Sequence, residues 1–271
     1  MTDLLTLFSY DFFLHALITG ILVSVCAALL GVSLVLKRYS MIGDGLSHVG
    51  FGASAVALAF SVAPLYVAIP AVLAAAFLLL KLGKSSSIKG DAATALVASS
   101  ALAIGYTVAK LTGGGNVDIG SFMFGSIYTL SATDTLITVA VALVVLVLYV
   151  IFYNKLFSVT FDETFAKATG INTGFYTSLL ACLTAVTVVI GMRMMGTLLI
   201  SSLIIFPVLS SLKIAKSYKS VIIFATIISL VGFLGGLALS LIIQSSPGSS
   251  VVIVNLIIYL LCSAIKFIKK K

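Results

Sequence analysis

Apolar residues in this chain do not alternate with polar ones at the period of a half-buried strand. They run together in long blocks separated by short polar stretches. A helix that crosses a bilayer needs roughly 20 apolar residues, because each adds about 1.5 Å against a hydrocarbon core about 30 Å thick. Nine runs of that kind occur, near residues 12–36, 42–61, 64–82, 92–111, 132–153, 174–191, 195–212, 219–243 and 250–268. The two runs flanking Gly191-Met192-Arg193-Met194-Met195-Gly196 read either as two spans or as one span plus a re-entrant segment. The pattern predicts an all-α, polytopic helical membrane protein of eight or nine transmembrane helices. It shows no internal repeat and no second domain, so residues 1–271 are expected to form a single transmembrane domain.

Composition strengthens this reading. The chain is 61% hydrophobic and 9% charged, with a mean hydropathy of +1.27, whereas soluble domains carry about 25% charged residues. The net charge of +8 does not mark a nucleic-acid binder, because the basic residues form no patch and lack interleaved stacking aromatics. They fall in alternate loops instead. Lys37 and Arg38, Lys81, Lys84 and Lys89, Lys155 and Lys167, Lys213, Lys216 and Lys219, and Lys266, Lys269, Lys270 and Lys271 make up 14 of the 16, leaving Lys110 and Arg193. The other loops, such as Gly113 to Gly120 and Gln244 to Ser250, are almost uncharged. That asymmetry puts the N-terminus outside and the C-terminus in the cytoplasm. Cys26, Cys182 and Cys262 are far apart, each inside an apolar run, and read as small buried residues rather than metal ligands or disulfides.

The longest polar loop runs from Asn154 to Thr173. Thr160 followed by Glu163 three residues on is expected to cap a short helix, with Phe161, Phe165 and Ala168 on one face and Gly170 ending it. Such a helix either rests on the membrane surface or docks a soluble partner. Asp91 reads as the N-cap of the fourth span, and Ser131-Ala132-Thr133-Asp134 as the capping run that opens the fifth. Pro247-Gly248 reads as a turn before the last span, Pro207 as a kink in the seventh, and Gly232 with Gly236 as a close helix contact.

Little of the chain carries chemistry. Gly83-Lys84-Ser85 imitates the end of a nucleotide-binding loop, but Leu78 stands where that motif needs a glycine and no strand precedes it. Only two histidines exist, His15 and His48, so a three-histidine zinc centre is ruled out for one chain. His15 reads as an interfacial residue. His48 differs, because Gly43-Asp44-Gly45-Leu46-Ser47-His48 sets a carboxylate and an imidazole four residues apart, stacked on one helix face. An acid within a span is costly and normally faces the protein interior or a pathway. The pair reads either as a carboxylate bonded to a neighbouring helix or as two ligands for a divalent transition metal. Two ligands are too few for a closed site; either a symmetric dimer supplies four, or the site is loose because it must release its ion.

Gly43-Asp44-Gly45-Leu46-Ser47-His48 resembles the Gly-Asp-x-x-Ser-His signature of the permease subunits of ABC-type zinc and manganese importers. The run from Gly191 through Gly196-Thr197-Leu198-Leu199 to Pro207 is similar to that family's Val-Gly-x-Leu-Leu run ending in Ile-x-Pro. Asp162-Glu163-Thr164-Phe165-Ala166 to Gly170 is similar to its Asp-Glu-x-x-Ala-x-x-x-Gly loop. The resemblance implies a homodimeric permease in the plasma membrane of a prokaryote, with two cytoplasmic ATPase subunits and an extracellular metal-binding solute-binding protein as partners. It implies that Asp44 and His48 coordinate the transported zinc or manganese ion, with no permanently bound cofactor. It also implies that Phe161, Asp162, Glu163, Phe165, Ala166 and Gly170 form the segment that meets the ATPase. Met192-Arg193 leans toward zinc. The alternative is a secondary, ion-gradient-driven cation transporter, for which inverted repeats would be expected.

Overall fold

The computed structural model describes residues 11–83, 90–112, 125 and 132–269; the Gly113 to Gly120 loop, Ser131, Lys84, Lys89, Lys270 and Lys271 lie outside them. The described residues form eleven α-helices and no strand: α1 Asp11–Leu36, α2 Ile42–Ala59, α3 Pro64–Gly83, α4 Gly90–Leu111, α5 Ala132–Ile151, α6 Tyr153–Phe161, α7 Glu163–Ala168, α8 Thr173–Met195, α9 Thr197–Ile214, α10 Tyr218–Ile243 and α11 Pro247–Lys269. All but α6 and α7 are long. Eight of them are long and apolar enough to cross a membrane, and the protein is an all-α, multi-pass membrane protein.

The ambiguity between eight and nine spans moves to a different place. The runs on either side of Arg193 are two separate helices, α8 and α9, divided at Gly196, whose φ of 85° breaks the helix. The long helix left out of those eight is α2, which carries Asp44, His48 and four glycines in 18 residues. It packs against α3, α4, α8 and α9, so protein rather than lipid surrounds most of it. The innermost spans are α1, α8 and α9, and α11 is the outermost. Leu30 of α1 and Leu199, Ile200, Leu203 and Ile204 of α9 are fully buried, and the two helices meet where Gly31 lies against the Ile204 backbone.

Close helix contacts run through glycine. A methyl on Gly105 of α4 would stand 2.5 Å from the Cα of Gly52 and 2.6 Å from its carbonyl oxygen, so the α2 and α4 backbones touch. The expected contact at Gly232 and Gly236 is also present: side chains there would run into Asn255 and Val251 of α11.

Several local expectations are corrected. Asp91 lies inside the first turn of α4, not at its cap, while Asp134 lies in the first turn of α5 and the expected cap at Ser131 falls outside the described residues. Pro247 is the first residue of α11, where a missing N–H costs nothing. The turn before it is made by Gln244, left-handed at φ 52°. The single helix expected after Asn154 is two, α6 and α7, because Asp162 is extended (φ −145°, ψ 98°) and its carboxylate accepts from the N–H groups of Thr164 and Phe165. The capping residue is therefore Asp162, not Thr160, whose hydroxyl donates to the Leu156 carbonyl inside α6. Gly170, at φ +81°, ends α7 as expected. Cys26 and Cys262 are buried and Cys182 partly so, all three as free thiols.

Candidate metal site

Asp44 lies in the first turn of α2, where the helix N-terminus favours negative charge. His48 follows one turn later. Their relation to the rest of the bundle is set by the glycines between and beside them. Gly43 leaves room for Ile204 of α9, Gly45 for Thr94 of α4, and Gly50 for Met192 of α8. With those positions pressed against neighbours, Met41, Asp44 and His48 (i, i+3, i+7) form a stripe that stays partly open. The Asp44 and His48 side chains keep 32% and 24% of their surface accessible.

Asp44 Oδ2 stands 3.7 Å from His48 Nε2. That exceeds the roughly 3.2 Å reach of an N–H···O hydrogen bond. Two ligands on one tetrahedral zinc, each bonded at about 2.0–2.1 Å, sit about 3.4 Å apart. The spacing therefore suits two atoms facing a shared cation better than two atoms bonded to each other. The other carboxylate oxygen, Oδ1, accepts a hydrogen bond of 2.9 Å from the Ser201 hydroxyl of α9. His48 Nδ1 is buried and makes no hydrogen bond among the described residues. The described residues contain no cluster of three or more His, Cys, Asp or Glu side chains that could hold a metal ion, and Asp44 and His48 stand there as a pair of candidate donors.

The site is deeper than its place in α2 implies. Asp44 is near the start of its own helix, but Ser201 is 13 residues from the Ile214 end of α9, about 20 Å along the axis. The carboxylate thus sits toward the end of the bundle where α8 gives way to α9. That end also holds an ion pair the sequence reading did not anticipate. Arg193 of α8 reaches Asp134 of α5 at 3.0 Å. The basic residue left over by the loop-charge pattern is thus matched to the carboxylate in the first turn of the fifth span.

At the opposite end, the six residues expected to meet a partner divide into two kinds. Phe161 and Phe165 are 61% and 63% exposed, although the Phe161 ring also packs on Phe157 and Tyr218, with centroids 5.0 and 5.7 Å away. Asp162 caps α7, Ala166 is fully buried, and Gly170 forms the turn. Glu163 is half-exposed but engaged by neighbours: it lies 3.1 Å from Lys167, 3.9 Å from Lys37 and 3.3 Å from the Thr173 hydroxyl that donates to it. Partial burial pushes the Glu163 carboxyl upward, but the Lys167 hydrogen bond and the charges of Lys37 and Lys167 outweigh it. The carboxyl titrates below its ordinary value. Lys37, whose side chain is only 8% exposed, also donates to Thr177 of α8 at 3.0 Å. It ties α7 and α8 to the short link, with left-handed Arg38 at φ 62°, that leads into α2.

Sequence reasoning missed Ser201 and Lys37. Ser201 carried a signal, since a serine inside Leu-Leu-Ile-Ser-Ser-Leu-Ile-Ile is a polar side chain in a span and so faces protein rather than lipid. Lys37 was absorbed by the loop-charge pattern, which says nothing about partners.

The fold and the site define a multi-pass helical membrane protein with a carboxylate–imidazole pair on a helix enclosed by its neighbours. The particular family follows from comparison. Residues 9–266 match the ABC 3 transport family, and the chain belongs to it. It is 29% identical over 252 residues to the high-affinity zinc uptake system membrane protein ZnuB of Haemophilus influenzae, covering 93% of this chain and 97% of that one. It is 29% identical over 269 residues to the manganese import system permease protein ScaB of Streptococcus gordonii, covering 98% and 96%. Among solved structures, PsaBC from Streptococcus pneumoniae in complex with Fab superposes with a TM-score of 0.83 at 30% identity, over 93% of this chain and 91% of that one.

Proposed function

We propose that this chain is the membrane-spanning permease subunit of an ABC importer for divalent transition-metal ions, zinc first and manganese next. The observation that carries the proposal is the 3.7 Å separation of Asp44 Oδ2 and His48 Nε2 on a helix inside the bundle. A carboxylate oxygen and an imidazole nitrogen are donors that suit these metals. Family membership and relatives named for zinc and for manganese uptake support the same reading.

Two donors hold a cation loosely, and a second copy related by a two-fold axis raises the number to four. The half-open stripe of Met41, Asp44 and His48 supports pairing, because a charged group left against lipid would be costly. ATP is hydrolysed by separate cytoplasmic subunits that dock on the α6–α7 knob through Phe161 and Phe165. Their closure on ATP shifts the permease between outward- and inward-facing states by binding one state more tightly. The ion arrives from an extracellular solute-binding protein. The N-terminus is outside and the C-terminus cytoplasmic, in the plasma membrane of a prokaryote, with the whole chain acting as one transmembrane domain. The test is uptake of zinc and manganese by cells whose only copy is His48→Ala. Uptake is expected to be lost while membrane insertion and complex assembly persist. Undiminished uptake of both metals would overturn the assignment.

A further inference from the structure

We infer that Ser201 is the positioning residue of this site, holding Asp44 in its ion-receiving orientation and supporting its charge when no ion is bound. The inference rests on reading Asp44 and His48 as the ligands. Ser201 lies one turn into α9, and its side chain is nearly buried. Its hydroxyl has one proton and two acceptors in reach: Asp44 Oδ1 at 2.9 Å and the Thr197 carbonyl at 3.0 Å. The bond to the carbonyl four residues back is the ordinary choice for serine in a helix. The bond to a carboxylate on another helix, 157 positions away, is the stronger because its acceptor is charged.

Two consequences follow. With Oδ1 held by α9, the carboxylate cannot spin about its own axis, and Oδ2 stays turned to His48 Nε2. A cation that takes up the negative charge weakens the pull on the hydroxyl proton, which can swing to Thr197 without any change of backbone. The donor is also neutral. Asp134 in the same chain is matched to Arg193, and a cation approaching it would have to displace a guanidinium. Asp44 receives a hydroxyl instead, which steadies the carboxylate without cancelling the charge that attracts the cargo. A hydroxyl at this point thus keeps the ligand ordered yet available, as partners behind metal ligands generally do.

The test uses the full chain in lipid nanodiscs, titrated with Co2+ and read by d–d absorption, together with zinc uptake in cells that also express its ATPase. Ser201→Ala is expected to weaken Co2+ binding about 10–100-fold, the usual cost of losing such a partner. It should raise the half-saturating zinc concentration for uptake by a similar factor, while the maximal rate at saturating zinc stays within about twofold. Ser201→Thr and Ser201→Val add similar bulk but only threonine donates, so threonine should bind Co2+ like the parent and valine like alanine. Parent-like Co2+ binding by the alanine variant, or equal impairment of threonine and valine, would overturn the role of the hydroxyl. Asp44→Asn and His48→Ala run in parallel should lose the Co2+ spectrum. If they keep it, the ligand assignment falls and the role of Ser201 with it. If they lose it while Ser201→Ala binds as the parent does, only the role of Ser201 falls.

Discussion

Replacing Gly105 by alanine tests whether the helix that carries Asp44 and His48 is held by direct backbone contact. Two effects oppose each other. Alanine in a helix interior is favoured over glycine by about 1 kcal/mol. The added methyl, however, would stand 2.5 Å from the Cα and 2.6 Å from the carbonyl oxygen of Gly52, where carbon atoms settle at about 3.5–4.0 Å. These obstacles are backbone, so no side chain can turn away, and α2 and α4 must part by about 1 Å. Overpacking of this kind costs about 1–3 kcal/mol, and a rigid obstacle belongs at the upper end. The expected net change is about 1–2 kcal/mol of destabilisation, or a fall in Tm of about 2–8 °C for a chain of this size. Gly235→Ala is the internal control. It is also mid-helix, but its methyl would lie 3.4 Å from Val254 Cγ1, an ordinary contact, so its Tm should hold or rise. The assay is thermal unfolding of both variants in the same detergent, followed by Co2+ binding. The reasoning fails if Gly105→Ala raises Tm as much as Gly235→Ala does.

Three further outcomes are expected. Phe165→Asp should abolish association with the ATPase in pull-down while leaving Co2+ binding intact. Phe165 is a cleaner probe than Phe161, whose ring also packs on Tyr218, and undiminished association would remove the α6–α7 knob as the docking point. Glu163→Gln should lower Tm at neutral pH. Because the folded carboxyl titrates below its ordinary value, its contribution is fully present above the unfolded pKa of about 4.3. It is lost as pH falls through the folded value, so the Tm gap between parent and variant should close in acid and stay constant from pH 6 to 8. Asp134→Asn should impair the protein more than the double variant Asp134→Asn/Arg193→Gln, since the single change leaves a guanidinium without its carboxylate. Strictly additive losses in Tm would show that the two do not interact.

What could be read from the chain alone, and what could not, divides along the range of the forces involved. The spans are a local matter. The free energy of placing some 20 residues in hydrocarbon depends on the composition of that segment, so α1, α3, α5 and α10 stand where their apolar runs lie. The spacing of Asp44 and His48 is equally local, because a helical turn sets it whatever surrounds the helix. The same reasoning failed where two local preferences compete within a few residues. Asp162 took the cap from Thr160 because its extended backbone lets one carboxylate serve two N–H groups.

The partners of these groups were decided by tertiary structure. Arg193 lies far from Asp134 in sequence, Lys37 far from Glu163, and Ser201 far from Asp44, and no periodicity links them. Each pair exists because elements distant in the chain pack together, α2 and α9 approaching where Gly43 leaves room for Ile204. A polar group enclosed there must then take whatever partner the crossing supplies. Composition was enough to place a carboxylate in the membrane. The packing of α9 against α2 determined that it would be steadied by a neutral hydroxyl and left with its charge.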